Sequence, residues 1–146
     1  FFFSLTFRPA SSIINIGYIL SRQPRVHSMP NFEVDFYKKE NGECPVQDFL
    51  DSLDSKMRAK LLVGFALLEA NGPQLREPYS KHIGDGIFEI RAKQGSNITR
   101  VLYFFFVGRQ IVLTNGFTKK TQKTPPAELA TAKKYRAAYL KRKGAL

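Results

Sequence analysis

The clearest pattern of apolar and polar positions runs from Gly86 to Pro125 and predicts three consecutive strands. These strands are rich in β-branched and aromatic residues, which favour extended structure. Gln94-Gly95-Ser96-Asn97 and Gly108-Arg109-Gln110 interrupt them as short turns, and connections of this length suit antiparallel neighbours. In the second strand both alternating sets of residues are apolar, so we predict a central strand that is buried on both faces.

Before these strands, the pattern passes from alternation to helical spacing. Residues 32–37 alternate apolar and polar side chains, as a half-buried strand does. Two helices follow, the first opening at Pro45 and the second near Asp54-Ser55. We interpret residues 73–85 as a loop that contains His82. The apolar residues at helical spacing are Val46, Phe49, Leu50 and Leu53 in the first helix, and Met57, Leu61, Phe65 and Leu68 in the second.

A basic helix is predicted near the end of the chain. It would start near Pro125-Pro126 with Thr124 as its N-cap, because a threonine hydroxyl can accept from the first helical N–H groups. The predicted order of elements is β-α-α-β-β-β-α. This is an α+β fold, with an antiparallel-rich sheet of about four strands, two N-terminal helices packed on it and a C-terminal helix.

Residues 1–28 differ in composition from the rest of the chain. They contain three arginines, several serines and no acidic residue. Such a composition can mimic a targeting peptide. We interpret the segment as an N-terminal extension that is non-native or disordered, with Met29 as the natural start. The domain is then predicted to span residues 29–146.

The charge of the chain points to a polyanionic partner. The sequence has 146 residues, a formal net charge of +11 and a pI near 10, and such a balance favours nucleic acid over a merely solubilising surface. One cysteine and two histidines argue against a disulfide framework or a metal site. No apolar run has the length of about 18–20 residues that a membrane span needs, so we predict no membrane partner. The single cysteine is compatible with a reducing cytosol, and we expect a cytoplasmic protein.

The candidate chemistry rests on cations and phenols. The motifs of nucleotide-binding loops, zinc proteases and serine hydrolases are absent from the sequence. Cations alone can promote RNA cleavage, because the substrate supplies its own nucleophile, the 2′-OH. Arginine suits the stabilisation of a phosphate in the transition state, since its planar fork binds two oxygens and stays charged. The candidate residues are Arg91, Arg100, Tyr103, Lys119, Lys120, Lys123, Tyr135 and Tyr139.

Residues 86–125 resemble the core of the RelE/HigB/ParE superfamily of type II toxins, and in particular its phage-derived, host-killing, HigB-like group. Three segments carry the resemblance: residues 84–91 (GDGIFEIR), 100–103 (RVLY) and 116–125 (GFTKKTQKTP). The order of elements is also similar, so the resemblance covers roughly residues 30–143. It implies a RelE-like fold over the domain predicted above.

The resemblance implies a metal-independent mRNA interferase, an endoribonuclease that cleaves messenger RNA on the ribosome and stops translation. Arg91 and Arg100 would stabilise the transition state, and Lys119 and Lys120 would stand where these toxins carry basic residues. No cofactor is expected. The implied partners are mRNA, the ribosome and an HTH-type antitoxin, with which the toxin could form a hetero-oligomer.

Several points stay open at this level. The best-known RelE sequences carry two lysines before the arginine, where this chain reads Ile87-Phe88-Glu89. The general base is therefore unassigned, with His82 and Tyr103 as candidates. The alternatives to a ribonuclease are a ParE-like inhibitor of DNA gyrase and a basic nucleic-acid-binding protein without catalysis. The residues predicted to bind RNA are Lys93, Lys123, Lys133, Lys134, Arg136, Lys141, Arg142 and Lys143.

Overall fold

A computed structural model describes residues 31–119 and 123–145. The predicted extension 1–28 and the candidate site residue Lys120 lie outside the described residues. The two longest helices described have 17 residues each, and neither is long and apolar enough to cross a membrane. The elements are β1 (Glu33–Phe36), α1 (Pro45–Ser52), α2 (Ser55–Asn71), a 3-10 helix (Gly72–Gln74), β2 (Ser80–Gly84), β3 (Ile87–Gln94), β4 (Asn97–Phe106), β5 (Gln110–Lys119) and α3 (Pro126–Arg142).

The five strands form one mixed sheet in the order β1-β5-β4-β3-β2. The strands β2 to β5 pair antiparallel through short turns, whereas β1 lies parallel to β5. A parallel pair needs a long connection, and here the other strands and two helices provide it. The α+β class is confirmed. The predicted strand count was wrong, and the 3-10 helix and β2 change the predicted order of elements.

The additional strand, β2, occupies part of the region that we interpreted as a loop. It pairs with β3 through the two-residue turn Asp85-Gly86, whose φ angles are 52° and 77°. A tight hairpin turn of this kind requires positive φ at both central residues, which Asp-Gly tolerates. Because β2 is an edge strand, Lys81 and His82 remain exposed, and the apolar alternation that marks a strand is missing.

The two faces of the sheet bury different helices. On the face that we call the helix-pair face, α1 and α2 pack on a cluster that includes Leu61, Val101 and Tyr103. On the opposite face, the α3 face, α3 covers a cluster that includes Leu102 and Phe104. The prediction that β4 is central and buried on both faces is confirmed.

A bulge in β5 reverses the direction of its later side chains. The register pairs Leu102 with Asn115 but Tyr103 with Leu113, so Thr114 is an extra residue. Leu113 packs on the helix-pair face, whereas Phe117 packs on the α3 face. A bulge shifts the alternation by one residue, and it thereby places the end of β5 on the α3 face.

The start of α3 differs from the prediction in one respect. The helix begins at Pro126, and its N-cap is Pro125, so the prediction of a Thr124 N-cap was wrong. The Thr124 hydroxyl instead donates to Glu89 of β3 at 2.7 Å. Asn115 of β5 donates to the backbone and side chain of Glu128, which fixes the first turn of α3 against the sheet.

Candidate functional site

Arg91 and Arg100 lie opposite each other on neighbouring strands. The register of β3 and β4 pairs them directly. Both side chains are on the α3 face, because side chains alternate along a strand and both Ile87 and Leu102 pack there. The structure thus brings together the two arginines singled out from the sequence. Like charges in this position repel each other, so the pair needs a compensating anion.

Glu89 supplies that anion. Its side chain is only 1% exposed, and its Oε2 accepts from the Arg91 Nε at 2.6 Å. Its Oε1 accepts from the Thr124 hydroxyl and lies 3.7 Å from the Arg100 Nε. One buried carboxylate therefore holds both guanidinium groups and the segment before α3. Sequence reasoning missed this residue, because it searched for cations and treated Glu89 as a departure from RelE.

The two arginines differ in their access to solvent. The Arg91 side chain is 17% exposed, whereas that of Arg100 is 0% exposed. Arg100 lies against the described residues just before α3, where its Nη1 donates to the Lys123 carbonyl at 3.4 Å. Its guanidinium carbon is 6.0 Å from the centre of the Phe117 ring. Burial lowers the pKa of Arg100, Glu89 opposes this shift, and Arg91 adds to it; an arginine nevertheless stays cationic at neutral pH.

Lysines form the rim of this arrangement. Lys119 is the exposed last residue of β5 and follows the bulge onto the α3 face. Lys93 is exposed near the end of β3, and Lys123 is exposed just before α3. Lys81 pairs with Glu89 across β2 and β3, so its side chain also lies on the α3 face. We did not select Lys81 from the sequence, because its position follows only once β2 is recognised as a strand.

A cleft opens beside Glu89. It has a volume of about 350 Å³ and is bounded by β2, the buried carboxylate and the start of α3. Lys81, Lys123 and Thr124 are among its lining residues. Two lysines thus line an open space beside Glu89, and a phosphate is the kind of group that paired cations can bind.

His82 stands at the edge of this cleft, but its ring turns away from the arginines. It lies opposite Phe88, and the two ring centres are 4.8 Å apart. Phe88 packs against the core of the helix-pair face. The His82 Nε2 accepts from the Gly86 N–H at 3.3 Å. The His82 ring therefore packs within the β2–β3 hairpin and does not lie beside Arg91.

Tyr103 lies on the other side of the sheet from Arg100. It is buried in the core of the helix-pair face, and its hydroxyl is 2.5 Å from that of Ser80. Burial raises the pKa of Tyr103 to about 12, although the hydrogen bond with Ser80 lowers it somewhat. The structure does not bring this phenol to the arginine pair, so it does not support Tyr103 as a general base.

The predicted RNA-binding residues of α3 form a second basic region. Some of them tie the helix to the rest of the fold: Lys133 forms an ion pair with Asp85, and the Arg136 Nη1 donates to the Asp85 carbonyl at 2.5 Å. The Arg142 Nη1 donates to the Lys38 carbonyl at 2.9 Å. The exposed residues of this region are Lys134, Lys141, Arg142 and Lys143.

A comparison with protein families places these features among known proteins. Residues 48–137, more than half of the chain, match the sequence model of a family described as phage-derived protein Gp49-like (DUF891). The matched region includes the arginine pair, Glu89 and most of α3. A comparison with curated proteins finds no match.

Proposed function

Because the chain belongs to the Gp49-like family, which lies within the RelE/HigB-like superfamily of type II toxins, we propose that it is an endoribonuclease toxin that cleaves messenger RNA on the ribosome. The observation that best supports this activity is the arginine pair: Glu89 holds Arg91 at 2.6 Å, and the Arg91 side chain still reaches solvent. A guanidinium fixed in this way is preorganised to bind a phosphate.

The proposed reaction uses the nucleophile of the RNA. The 2′ oxygen attacks the adjacent phosphorus, the bond from phosphorus to the 5′ oxygen breaks, and the products are a 2′,3′-cyclic phosphate and a 5′-hydroxyl. The proton of the 2′-OH passes to solvent water, and another proton is added to the departing 5′ oxygen. The chain must therefore hold the phosphate in line, stabilise its negative charge and supply a proton donor.

We assign different roles in this reaction to the arginines and to the lysines. Arg91 is the proposed catalytic residue, which contacts the phosphate and stabilises the charge that develops on it. Arg100 is a positioning residue, because it is buried and acts through Glu89 and the segment before α3. Lys81 and Lys123 line the cleft beside Glu89, so either can donate the proton to the 5′ oxygen. Lys119 and the α3 cations would hold the flanking RNA.

The same proposal includes a protein partner. Members of this toxin superfamily are usually paired with an antitoxin. We propose an HTH-type antitoxin that binds the toxin in the cytoplasm as a hetero-oligomer. A partner with acidic residues would complement the net charge of +11.

The deciding experiment is a map of RNA 5′ ends after brief induction in cells. We expect new 5′-hydroxyl ends within coding sequences, and we expect them to disappear in Arg91→Ala but persist in Lys141→Ala. An unchanged RNA map with altered DNA supercoiling would contradict the proposal and indicate a gyrase inhibitor. RNA binding without any new ends would indicate a non-catalytic protein.

A further inference from the structure

Tyr79 carries an exposed aromatic ring just before β2. It is 48% exposed, and among the tyrosines and phenylalanines that the structure describes it alone is exposed. Single exposed apolar side chains are common on protein surfaces and need no explanation by themselves. The position of this ring is therefore what gives it significance.

The backbone places Tyr79 directly beside Arg91. Ser80, the first residue of β2, pairs with Ile90, and the Arg91 N–H donates to the Tyr79 carbonyl at 2.8 Å. Arg91 thus has Arg100 as its neighbour on one side and Tyr79 on the other. Neighbouring strands lie about 4.8 Å apart, a separation comparable to that between a nucleobase and its own phosphate. An aromatic ring and a phosphate-binding cation are therefore spaced for one nucleotide.

A groove extends from Tyr79 towards α2, apart from the cleft beside Glu89. Its volume is about 470 Å³, and ligand pockets commonly have about 300–1,000 Å³. Val63 and Leu67 of α2 are half-buried and give it an apolar wall, and Arg91 also lines it. None of the described residues that line the groove is acidic. A flat base with apolar faces suits such a space.

Two lysines add positive charge at the same groove. Lys60 and Lys93 both line it, and both are exposed. The Lys60 Nζ donates to the Lys93 carbonyl at 2.7 Å, which brings the ammonium group to the end of β3. An ammonium group has three donors, so Lys60 can hold this carbonyl and a phosphate together. An aromatic ring flanked by cations is the combination with which proteins bind single-stranded nucleic acid.

We propose that this groove is a nucleobase subsite, in which Tyr79 stacks on a base of single-stranded RNA next to the cleaved phosphate. Lys60 and Lys93 bind neighbouring phosphates of the same strand. The location of the cleaved phosphate at Arg91 rests on the proposed function. Every base has a π-face, so stacking on Tyr79 adds affinity and tolerates different sequences.

The test uses an RNA hexanucleotide that carries 2′-O-methyl groups throughout and therefore has no nucleophile. Fluorescent 2-aminopurine, placed at each position in turn, reports stacking as a loss of fluorescence. We expect quenching at one position, binding at least about fivefold weaker in Tyr79→Ala, and binding retained in Tyr79→Phe. Val107→Ala is the control, because it shortens the other large exposed apolar side chain described, in the β4–β5 turn. Absence of quenching, or equal losses in Tyr79→Ala and Val107→Ala, would overturn the inference.

Two further comparisons separate stacking from attraction to charge. An abasic residue at the quenched position should weaken binding to the wild type and leave binding to Tyr79→Ala unchanged. Lys60→Gln should reduce the salt dependence of binding by up to about one ion. Lys56→Gln, an exposed lysine of α2 outside the groove, should reduce it less. Equal binding with and without the base, or equal effects of the two lysine variants, argues against the subsite.

Cleavage assays distinguish this subsite from the proposed function. Tyr79→Ala should raise KM at least about fivefold and lower the rate at saturating RNA much less than Arg91→Ala does. RNA cleavage without quenching that depends on Tyr79 contradicts the subsite alone. Quenching that depends on Tyr79 in a protein that cleaves no RNA contradicts the proposed function alone. Binding of polyglutamate that depends on Tyr79, without such binding of the hexanucleotide, would overturn the inference in favour of an acidic protein.

Discussion

The two basic regions of this molecule hold their charges in different ways. On the α3 face of the sheet, Arg91 and Arg100 share the buried carboxylate of Glu89. On α3 itself, Lys134 and Lys141 are exposed. Salt screens exposed charges over about 8–10 Å, whereas buried pairs are screened much less. Under the proposed function, the first region would therefore orient a single phosphate, and the second region would contribute general attraction to a polyanion.

The largest effect should come from Glu89→Gln. Removing one member of a buried ionic cluster leaves uncompensated charge, so we expect the free energy of unfolding to fall by about 3–5 kcal/mol. Urea denaturation followed by circular dichroism measures this change. Glu43→Gln is the matched control, because its ion pair with Lys39 is exposed and should add little. Similar losses in both variants would show that the Glu89 cluster is no more important than a surface pair.

Arg91→Ala should mainly lower the rate of cleavage. Loss of a preorganised donor to the transition state costs about 10²–10³ in rate, which is roughly 3–4 kcal/mol. Arg91→Lys should recover little, because a point charge does not reproduce the two-pronged contact. The measurement is single-turnover cleavage of ribosome-bound mRNA at saturating protein, with circular dichroism as a check of folding. A rate close to that of the wild type would refute a catalytic Arg91.

Thr124→Val should have a smaller effect on stability. It removes the hydroxyl that donates to Glu89 and leaves a side chain of similar shape, so the free energy of unfolding should fall by about 1–2 kcal/mol. Thr131→Val removes a hydroxyl that donates to the Ala127 carbonyl on the exposed side of α3, and should change stability less. Thermal or urea unfolding compares the two. The reverse order would mean that Thr124 does not anchor the connection.

Lys141→Ala should have the smallest effect. An exposed lysine contributes through the release of counterions, so we expect slightly weaker RNA binding and a salt dependence reduced by about one ion or less. The single-turnover rate should stay within about twofold of the wild type, since the contact is the same in ground and transition states. Titrations at several salt concentrations provide the measurement. A loss of rate as large as that in Arg91→Ala would remove the distinction between the two regions.

Some elements of the fold could be predicted from the spacing of apolar residues alone. Apolar spacing was sufficient for α2, where Met57, Leu61, Phe65 and Leu68 are buried as predicted. The same pattern was sufficient to predict β4 as a central strand, since that strand is apolar on both faces. Edge strands give a weaker signal, because only one side is paired, and β2 was missed although Asp85-Gly86 is a strong hairpin signal.

The arrangement of the site was harder to predict, because the residue pattern of a single strand does not show its contacts with other segments. Arg100 lies in a strand that is apolar on both sides, so periodicity did not reveal that it would be buried against Glu89 and Lys123. Lys119 reaches the α3 face only because of the bulge at Thr114, which alternation does not predict. Glu89 became important only when the fold brought Arg100 and Thr124 to it. Each of these features depends on contacts between segments distant in the chain.

The parallel pairing of β1 with β5 has a consequence for synthesis of the protein. Phe36 pairs with Leu113, 77 residues later in the chain. At about 5–20 residues per second, a ribosome needs roughly 4–15 s to add that length. During this interval the β1 strand has left the active centre of the ribosome without its partner strand. The sheet is completed only after β5 has been synthesised, which gives a chaperone or a binding partner time to engage the nascent chain.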